Sequence, residues 1–329
     1  MSGYWEFYEE TARAVSFDVS GRISHKFAGV KKLPLRSHER DARWIDAVEE
    51  VVWPSLYRWH YLRERRKASD RREGLTMRER EDPEFVARLL DADRSAGLLD
   101  RGWRVAARGP DECLCEKGGL QLRVSAAALE AEGVHPGDET VAVRFPAGRR
   151  YSMPLYYCTA GGFAAEADLR IYFNVKPACA AWLLRVLSQD LHAAGASYQL
   201  KLLNHPRSYT RPDAAVLYVP VSAARVSRAI VDQLAGASAF RGAIPALTRG
   251  IYPGIAVADE PTPLRGGRRA SFGEHRCRLL ARGLARAHAE GCGSVTQAVT
   301  AISREFILAN LDPSRPYASP GDRGAAAEF

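Results

Sequence analysis

The chain has 329 residues, of which 46% are hydrophobic and 26% are charged, so it can bury a core and is long enough for two domains. Its formal net charge of +8 suits an anionic partner, such as a phosphorylated substrate or nucleic acid. The six cysteines form no CxxC pair, which argues against a zinc ribbon, and we expect no metal site. The N-terminus has no apolar signal segment and no apolar run could span a bilayer, so we expect a cytoplasmic protein without a membrane partner.

Residues 1–150 predict a helical and small β-rich region. Apolar residues at helical spacing predict a helix over residues 39–62, with Pro54 as a kink or restart. A dense mixed-charge run then predicts a solvated helix or a linker, and residues 82–97 predict a capped helix. Short alternating runs broken by Gly and Pro over residues 101–160 predict strands. We expect this region to support the rest of the molecule, or to contact a partner protein or part of a peptide substrate.

Residues 151–312 have the most regular pattern. The strand "LRIYFNV", the helix "ACAAWLLRVLSQDLHAAG", the strands "SYQLKLL" and "AAVLYVPV" and the helix "SAARVSRAIVDQLAG" follow one another. This β-α-β-β-α order predicts an α+β domain. Two further helices follow, the first opening with the capping-box pattern Ser271-x-x-Glu274. Residues 313–329 are rich in Pro, Gly and Ala and predict a flexible tail.

The first of these strands has two unequal faces. Side chains alternate along a strand, so Arg170, Tyr172 and Asn174 share the face opposite Ile171 and Phe173. A half-solvated sheet would explain the polar face, and so would a binding site for an anion.

The second strand carries a lysine at its centre. Lys201 either protects a sheet edge against aggregation or points into a pocket, where it could act as a base. The loop that follows carries His205, Arg207, Arg211 and Asp213. Arginine forks match phosphate oxygens, so these cations would form a phosphate site if Arg170 faced them. Neighbouring positive charge and burial would lower the pKa of Lys201, and bound phosphate would partly reverse that change.

These residue types suit a β-elimination. A free-amine lysine can remove the α-proton of phosphoserine or phosphothreonine while a general acid protonates the bridging oxygen, so that phosphate leaves. Because no water attacks, the reaction needs neither a metal nor a nucleophilic triad, and we expect no cofactor. The chain accordingly lacks the P-loop, GxSxG, HExxH and GxGxxG motifs.

Four stretches resemble the HopA-type effector family: "RIYFNVKP", "LKLLNHPRSYTRPDAAVLYVP", "IPALTRGIYPGIAVADEP" and "SFGEHRCRLLARGL". The resemblance covers roughly residues 150–290. The family includes HopA-like lyases of class V lanthipeptide and thioamitide biosynthesis. There a separate phosphotransferase-like kinase phosphorylates Ser and Thr of a precursor peptide, and the HopA-like protein eliminates the phosphate. The resemblance therefore implies a lyase that forms dehydroalanine and dehydrobutyrine, with that kinase and the phosphorylated peptide as partners.

A more distant similarity to bacterial phosphothreonine lyases implies roles for single residues. Lys201 corresponds to the base, and Arg170 and Arg211 correspond to phosphate-binding residues. Tyr172 stands where those lyases carry an acid histidine, and His205 is the alternative acid. The further candidates for the phosphate or substrate site are Asn174, Arg207, Asp213, Arg249 and Arg276, with a surface salt bridge as the alternative role of the last two.

Two other functions fit the sequence less well. A non-enzymatic, effector-like protein could bind a phosphopeptide or a kinase with the same cations and no turnover. Nucleic acid could bind the arginine-rich runs at 63–80 and 271–290. However, acidic residues interrupt both runs and few aromatic residues stand among them, so we expect no nucleic-acid partner.

Overall fold

A computed structural model describes residues 3–17, 22–26, 29–32, 42–62, 81–95, 97–131, 140–145, 155–161, 167–264, 267–320 and 324–329. The α+β class is confirmed. The helices are α1 (Gly3–Ala14), α2 (Ala42–Tyr57), α3 (Pro83–Ala92), α4 (Ala180–Ala193), α5 (Ala224–Leu234), α6 (Phe272–Ala289), α7 (Val295–Leu308) and α8 (Ala325–Glu328). The first strands are β1 (Val15–Phe17), β2 (Arg22–His25), β3 (Gly29–Lys32), β4 (Gly97–Arg108), β5 (Glu112–Lys117), β6 (Leu120–Ser125) and β7 (Leu129–Ala131). The others are β8 (Thr140–Phe145), β9 (Leu155–Gly161), β10 (Leu169–Phe173), β11 (Tyr198–Leu203), β12 (Ala215–Val219), β13 (Arg249–Tyr252) and β14 (Ile255–Asp259).

Most of these strands join one large mixed sheet. Its order is β13-β14-β10-β12-β11-β9-β4-β5-β6, with β8 paired to β4 and β7 paired to β8. The strands from β13 to β9 run antiparallel to their neighbours, and a short parallel pairing of β9 with β4 attaches the β-rich part. The predicted β-α-β-β-α segment corresponds to β10, α4, β11, β12 and α5 at the centre of this sheet. Strands β1 to β3 form a separate small sheet.

Helices cover both faces of the central strands. The apolar face of β10, with Ile171 and Phe173, packs into a core shared with α3, α4 and α5. The opposite face packs, through Tyr172 and Val216 among others, against a core built from α1, α2, α6 and α7. The polar side chains of β10 therefore do not line a half-solvated sheet, because helices cover them.

The helices of the N-terminal half differ in their ends from the sequence expectation. Helix α2 continues through Pro54 and passes at Arg58–Leu62 into a π-helical turn. Helix α3 ends at Ala92, and Gly97 instead opens β4 with a positive φ of 77°. The predicted start of α3 is confirmed, since the carboxylate of Asp82 accepts a hydrogen bond of 2.9 Å from the backbone N–H of Phe85. The charged run at 63–80 lies outside the described residues.

The C-terminal residues differ from the flexible tail that their composition predicts. Ala326 and Phe329 are buried in the core on the α4 side of the sheet. The carboxylate of Asp259, at the end of β14, accepts hydrogen bonds of 2.7 Å from the backbone N–H groups of Ser319 and Ala326. Specific long-range contacts therefore order a segment whose composition alone gives no reason for order.

Candidate active site

The polar face of the sheet brings Lys201 and the β10 residues together. Strand β11 lies between β9 and β12, so Lys201 is an interior residue of the sheet and does not protect an edge. In register, Lys201 lies between Tyr157 on β9 and Val216 on β12, and Val216 faces Tyr172 on β10. In the neighbouring row, Tyr218 lies opposite Arg170. Since residues two apart on a strand share a face, Lys201, Tyr218, Tyr172 and Arg170 form one surface.

Lys201 has a phenol as its direct partner. Its Nζ donates a hydrogen bond of 3.0 Å to the hydroxyl oxygen of Tyr218, and both residues are half-buried. The Lys201 Nζ lies 5.5 Å from the centroid of the Tyr218 ring, and the Arg170 Cζ lies 5.1 Å from it. Tyr218 is therefore a phenol bonded directly to the candidate base, in a position where two cations act on it.

The two partners shift each other's pKa. Burial would raise the pKa of the Tyr218 phenol, but the cations of Lys201 and Arg170 outweigh burial and lower it below its usual value of 10.0. Burial would lower the pKa of Lys201, but Tyr218 and Asp213 outweigh burial and raise it. The lowered pKa that positive neighbours predict for Lys201 is therefore wrong for this structure, because Tyr218 and a carboxylate balance the arginines. The pair titrates as one coupled unit.

Arg170 lies under this pair and is held by a carboxylate. Its Nη2 donates a hydrogen bond of 2.6 Å to Glu260, and its Nε donates to the second oxygen of the same carboxylate. Only 8% of its side chain is exposed. Its guanidinium also contacts the hydroxyl of Tyr172, which is itself buried, and burial raises the pKa of that phenol far above its usual range. Arg170 thus supplies positive charge to the Lys201–Tyr218 pair from the buried side of the Tyr218 ring.

Arg211 is the more accessible of the two guanidinium groups. Its Nε and Nη2 donate to both oxygens of Asp213, and 22% of its side chain is exposed. Burial raises the pKa of Tyr57, at the end of α2, and the charges of Arg211 and Lys201 oppose that shift.

Two of the three other candidates on these elements have local structural roles. The side-chain amide of Asn174 donates a hydrogen bond of 2.7 Å to the backbone oxygen of Ala243, and Asn174 is buried. The Nδ1 of His205 accepts a hydrogen bond of 3.1 Å from the backbone N–H of Arg207 and so caps the short helical turn at Pro206–Ser208. The side chain of Arg207 is exposed.

Arg249 and Arg276 bind the C-terminal segment, and neither forms the surface salt bridge considered above with any residue that the structure describes. Arg249 Nη1 donates to the backbone oxygens of Ala326 and Ala327, at 2.6 and 2.8 Å. Arg276 is fully buried and donates at 2.6 Å to the backbone oxygen of Pro316. Burial lowers the pKa of Arg276 to about 10. Two carbonyl oxygens and the His275 imidazole hold the donors of Arg276, and Arg249 binds two carbonyl oxygens through Nη1, so these contacts stabilise the C-terminal segment.

Sequence reasoning missed the residues that hold the predicted ones in place. Tyr218 and Glu260 are the partners of Lys201 and Arg170. Tyr218 had a signal in the sequence, because it interrupts the apolar strand "AAVLYVPV" on the face that Val216 shares. Glu260 had none, since it acts across 90 residues of chain.

The charges of the site leave room for one anion. Three cations, Lys201, Arg170 and Arg211, face two carboxylates, Glu260 and Asp213. With Tyr218 as a phenol the group carries one net positive charge. Among the described residues, no group of three or more His, Cys, Asp or Glu side chains could hold a metal ion. Nor is any described helix long and apolar enough to cross a bilayer.

Comparison with known proteins identifies relatives. The HopA1 effector protein family matches residues 153–318, just over half of the chain. An effector protein from Pseudomonas syringae pv. tomato strain DC3000 is similar in structure, with a TM-score of 0.45 and 11% identity over 97% of both chains. An effector protein from Pseudomonas syringae pv. syringae strain 61 gives a TM-score of 0.42 and 11% identity over 85% of this chain and 95% of the other. No curated protein matches the chain.

Proposed function

Because the chain belongs to the HopA1 effector protein family and has Lys201 beside Tyr218 on a cationic surface, we propose that it is a phosphoserine and phosphothreonine lyase. It eliminates phosphate from a phosphorylated peptide and leaves dehydroalanine or dehydrobutyrine. The observation that carries the proposal is the 3.0 Å hydrogen bond between Lys201 and Tyr218, which joins a base and an acid. Asp213, which holds Arg211, also acts on the pKa of Lys201.

The reaction assigns one proton transfer to each partner. The amine of Lys201 removes the α-proton, and the released electron pair forms the double bond between Cα and Cβ. The bond from Cβ to the bridging oxygen breaks, and the phenol of Tyr218 gives its proton to the leaving phosphate. The products are the dehydroamino acid and inorganic phosphate, and no water is consumed.

The coupled pair can supply both groups in one protonation state. Ammonium with phenolate and amine with phenol hold the same number of protons, and the hydrogen bond between the two side chains allows the proton to move. The amine–phenol form is the reactive one. Tyr218 therefore replaces Tyr172 and His205 as the proposed acid. Tyr172 is buried against Arg170, and the Nδ1 of His205 is already bonded to backbone.

The arginines bind and neutralise the phosphate. Arg211 is the proposed contact, because part of its guanidinium is exposed while Asp213 fixes its plane. Arg170 is held by Glu260 and acts at short range through its charge. In the ammonium–phenol form the site carries one net positive charge, which suits one phosphate group on a peptide better than a polyphosphate or a nucleic acid, and the site becomes neutral in the amine–phenol form that reacts.

We place this reaction in the biosynthesis of a modified peptide, after a separate kinase has phosphorylated Ser and Thr residues of the precursor. The site needs a substrate that already carries phosphate, since none of its residues forms a nucleotide-binding loop. The phosphorylated peptide is thus the product of the kinase and the substrate of this protein. A reaction that follows the kinase also fits a cytoplasmic location.

Mass spectrometry of a phosphoserine- and phosphothreonine-containing peptide incubated with the protein tests the proposal. We expect the wild type to remove phosphoric acid, Lys201→Ala to be inactive and Tyr218→Phe to lose activity by about 10²–10⁴-fold. Tyr172→Phe and His205→Gln should keep most of it. Lys176→Ala is the matched control, because Lys176 is exposed and bonded only to a backbone oxygen among the described residues.

Two outcomes would contradict the proposal. A phosphopeptide that binds tightly but stays intact, also with a kinase from the same pathway added, would indicate a binding protein. Elimination of phosphate by Lys201→Ala at the wild-type rate would show that a residue other than Lys201 is the base.

A further inference from the structure

Glu260 follows β14 directly and binds the guanidinium of Arg170, which lies against the ring of Tyr218. We propose that Glu260 is a positioning residue: by holding Arg170 and balancing its charge, it keeps on Tyr218 the proton that the leaving phosphate takes. The inference rests on the proposed function for the use of that proton. It gives Glu260 a task in the reaction, which it performs through Arg170 without touching the substrate.

The carboxylate of Glu260 determines where the charge of Arg170 lies. The Nη2 of Arg170 donates a hydrogen bond of 2.6 Å to one oxygen, and its Nε donates to the other. The main chain of Glu260 is held as well, because its N–H donates to the backbone oxygen of Asp168 at 2.8 Å and its oxygen accepts from the Ser319 hydroxyl at 2.7 Å. Two parallel hydrogen bonds fix the plane of a guanidinium, so Arg170 cannot turn away from the Tyr218 ring while Glu260 holds it.

The charge of Arg170 acts more strongly on Tyr218 than on Lys201. Arg170 and Tyr218 lie opposite each other on the adjacent strands β10 and β12, and the Arg170 Cζ is 5.1 Å from the centroid of the ring. Lys201 lies one strand farther away, on β11. A positive charge at Arg170 therefore favours the form in which the shared proton is on Lys201. That ammonium–phenolate form has no acid for the leaving group.

Glu260 opposes this effect of Arg170. Burial and the charge of Glu260 raise the pKa of the Tyr218 phenol, whereas the cations of Lys201 and Arg170 lower it. Among the described residues, Arg170 pairs with no carboxylate other than that of Glu260. Without the charge of Glu260, Arg170 would be unbalanced, and the proton would move from Tyr218 to Lys201.

The surrounding ionisable groups do not obscure this effect. Apart from Asp213, which is bonded to Arg211, the described side chains that interact with Tyr218, Lys201 or Arg170 are neutral between pH 6.5 and 10.0. They are Tyr57 on α2, Tyr157 on β9, Tyr172 on β10 and His275 on α6. Burial raises the pKa of the three phenols and lowers the pKa of the imidazole to about 3.

The test compares Glu260→Gln, which has nearly the same shape without the charge, with the wild type. NMR of 13C-labelled tyrosine follows the ionisation of Tyr218, whose signal is the one missing from Tyr218→Phe. We expect the pKa of Tyr218 to fall by about one unit. The Kd for inorganic phosphate, measured by calorimetry, should fall about three- to tenfold, because the site gains one positive charge. The kcat for phosphopeptide elimination should also fall, by about three- to tenfold, because the amine–phenol form becomes rarer.

This combination distinguishes positioning from mere support of the fold. Loss of a carboxylate that only supported the fold would weaken phosphate binding and slow elimination together. Arg170 would then move away from the ring, and the pKa of Tyr218 would rise towards 10.0. Tighter phosphate binding with slower elimination is expected only if the charge of Arg170 stays in place.

Two further variants serve as controls. Glu290→Gln removes a carboxylate that pairs at 3.4 Å with the exposed Arg304, and all three measurements should equal those of the wild type. Glu260→Asp keeps the negative charge, so its Tyr218 should titrate within about half a unit of the wild type. Circular dichroism melting curves should show that Glu260→Gln is folded. If it is not, the titration of Glu260→Asp decides, and a larger fall in the pKa of Tyr218 would overturn the inference.

The outcomes separate this inference from the proposed function. If the wild type eliminates no phosphate, but Glu260→Gln lowers the pKa of Tyr218 and binds phosphate more tightly, Glu260 holds the proton on Tyr218 and the lyase proposal fails. Elimination by the wild type, with an unchanged Tyr218 titration or weaker phosphate binding in Glu260→Gln, would overturn the inference and leave the lyase.

Discussion

At the scale of single residues, each cation of the site is paired with a specific oxygen group. Lys201 has Tyr218, Arg170 has Glu260 and Arg211 has Asp213. Pairing keeps charged side chains inside the fold at a tolerable desolvation cost. It also determines their chemistry, because the pKa of Tyr218 is set by two cations and not by burial alone.

The coupled pair predicts a bell-shaped dependence of kcat/KM on pH. The pair becomes reactive when its first proton leaves, at a pKa below the ordinary 10.0 of tyrosine, and becomes inactive when the second leaves, above the ordinary 10.5 of lysine. Elimination rates should therefore rise with pH below 10 and fall only in more alkaline solution. In Tyr218→Phe the rising limb should follow Lys201 alone, and an unchanged limb would contradict the assignment.

A buried histidine next to Arg276 predicts acid sensitivity. Arg276 Nη1 donates to the Nδ1 of His275 at 2.8 Å, and burial and Arg276 lower the pKa of that imidazole to about 3. Between pH 6.5 and about 3 the unfolded chain thus binds a proton that the folded chain does not, so stability falls as pH falls. Urea unfolding should show a loss of up to ~1.4 kcal/mol per pH unit, absent in His275→Gln. The exposed His192→Gln is the control, and equal slopes in all three proteins would refute the prediction.

At the scale of elements, the C-terminal segment is attached to the helices and strands that carry the site. Arg276 on α6 and Arg249 on β13 hold backbone oxygens of that segment, and Asp259 holds its N–H groups. The hydroxyl of Ser319 also donates to the backbone oxygen of Glu260, the residue that fixes Arg170. The segment therefore stabilises one end of β14, next to the site.

Arg276→Met tests this attachment. Methionine keeps the apolar stem but leaves the oxygens of Pro316 and Ala318 without their donor, so the free energy of unfolding should fall by about 2–4 kcal/mol. Hydrogen exchange should become faster at the amides of residues 317–319. The control is Arg315→Met, an exposed arginine, with an expected change within about 0.5 kcal/mol. Unchanged exchange in Arg276→Met would show that other contacts hold the segment.

The sequence was sufficient for the local part of this architecture. Alternation along "LRIYFNV" separated Ile171 from Arg170 correctly, and the capping box at Ser271 marked the start of α6. Order in the C-terminal segment could not be predicted, because it depends on Arg249 and Arg276 meeting carbonyl groups more than 39 residues away. For the same reason the sequence could not show that these two arginines bind the C-terminal segment. Composition records which donors exist and not which acceptors they meet.

At the scale of the whole molecule, the two halves of the chain share their cores. Helix α2 packs on α6 through apolar residues and through ion pairs that join Arg278 to Glu49 and Glu50. Arg282 joins Glu49 to Glu305 on α7. The face of the sheet that carries Tyr172 and Val216 thus has its cover partly from the N-terminal half.

A fragment of residues 153–329 should therefore not fold as a cooperative unit. Without α1 and α2, the apolar surface of α6 and the polar face of the sheet would meet water. We expect weak near-ultraviolet dichroism, binding of a hydrophobic dye and no sharp thermal transition, whereas the full chain should melt cooperatively. A fragment that melts like the full chain would mean that the N-terminal helices are dispensable for the fold.

The unusual position of Tyr218 gives the protein a built-in optical probe. Burial raises the pKa of Tyr57, Tyr157 and Tyr172, whereas Tyr218 is the tyrosine of the described residues whose pKa is lowered. During an alkaline titration it should be the first to turn into the phenolate, which absorbs at longer wavelength than the phenol. An anion held between Lys201 and Arg211 would oppose that ionisation. The absorbance of one side chain should therefore report when the site is occupied, before any product is formed.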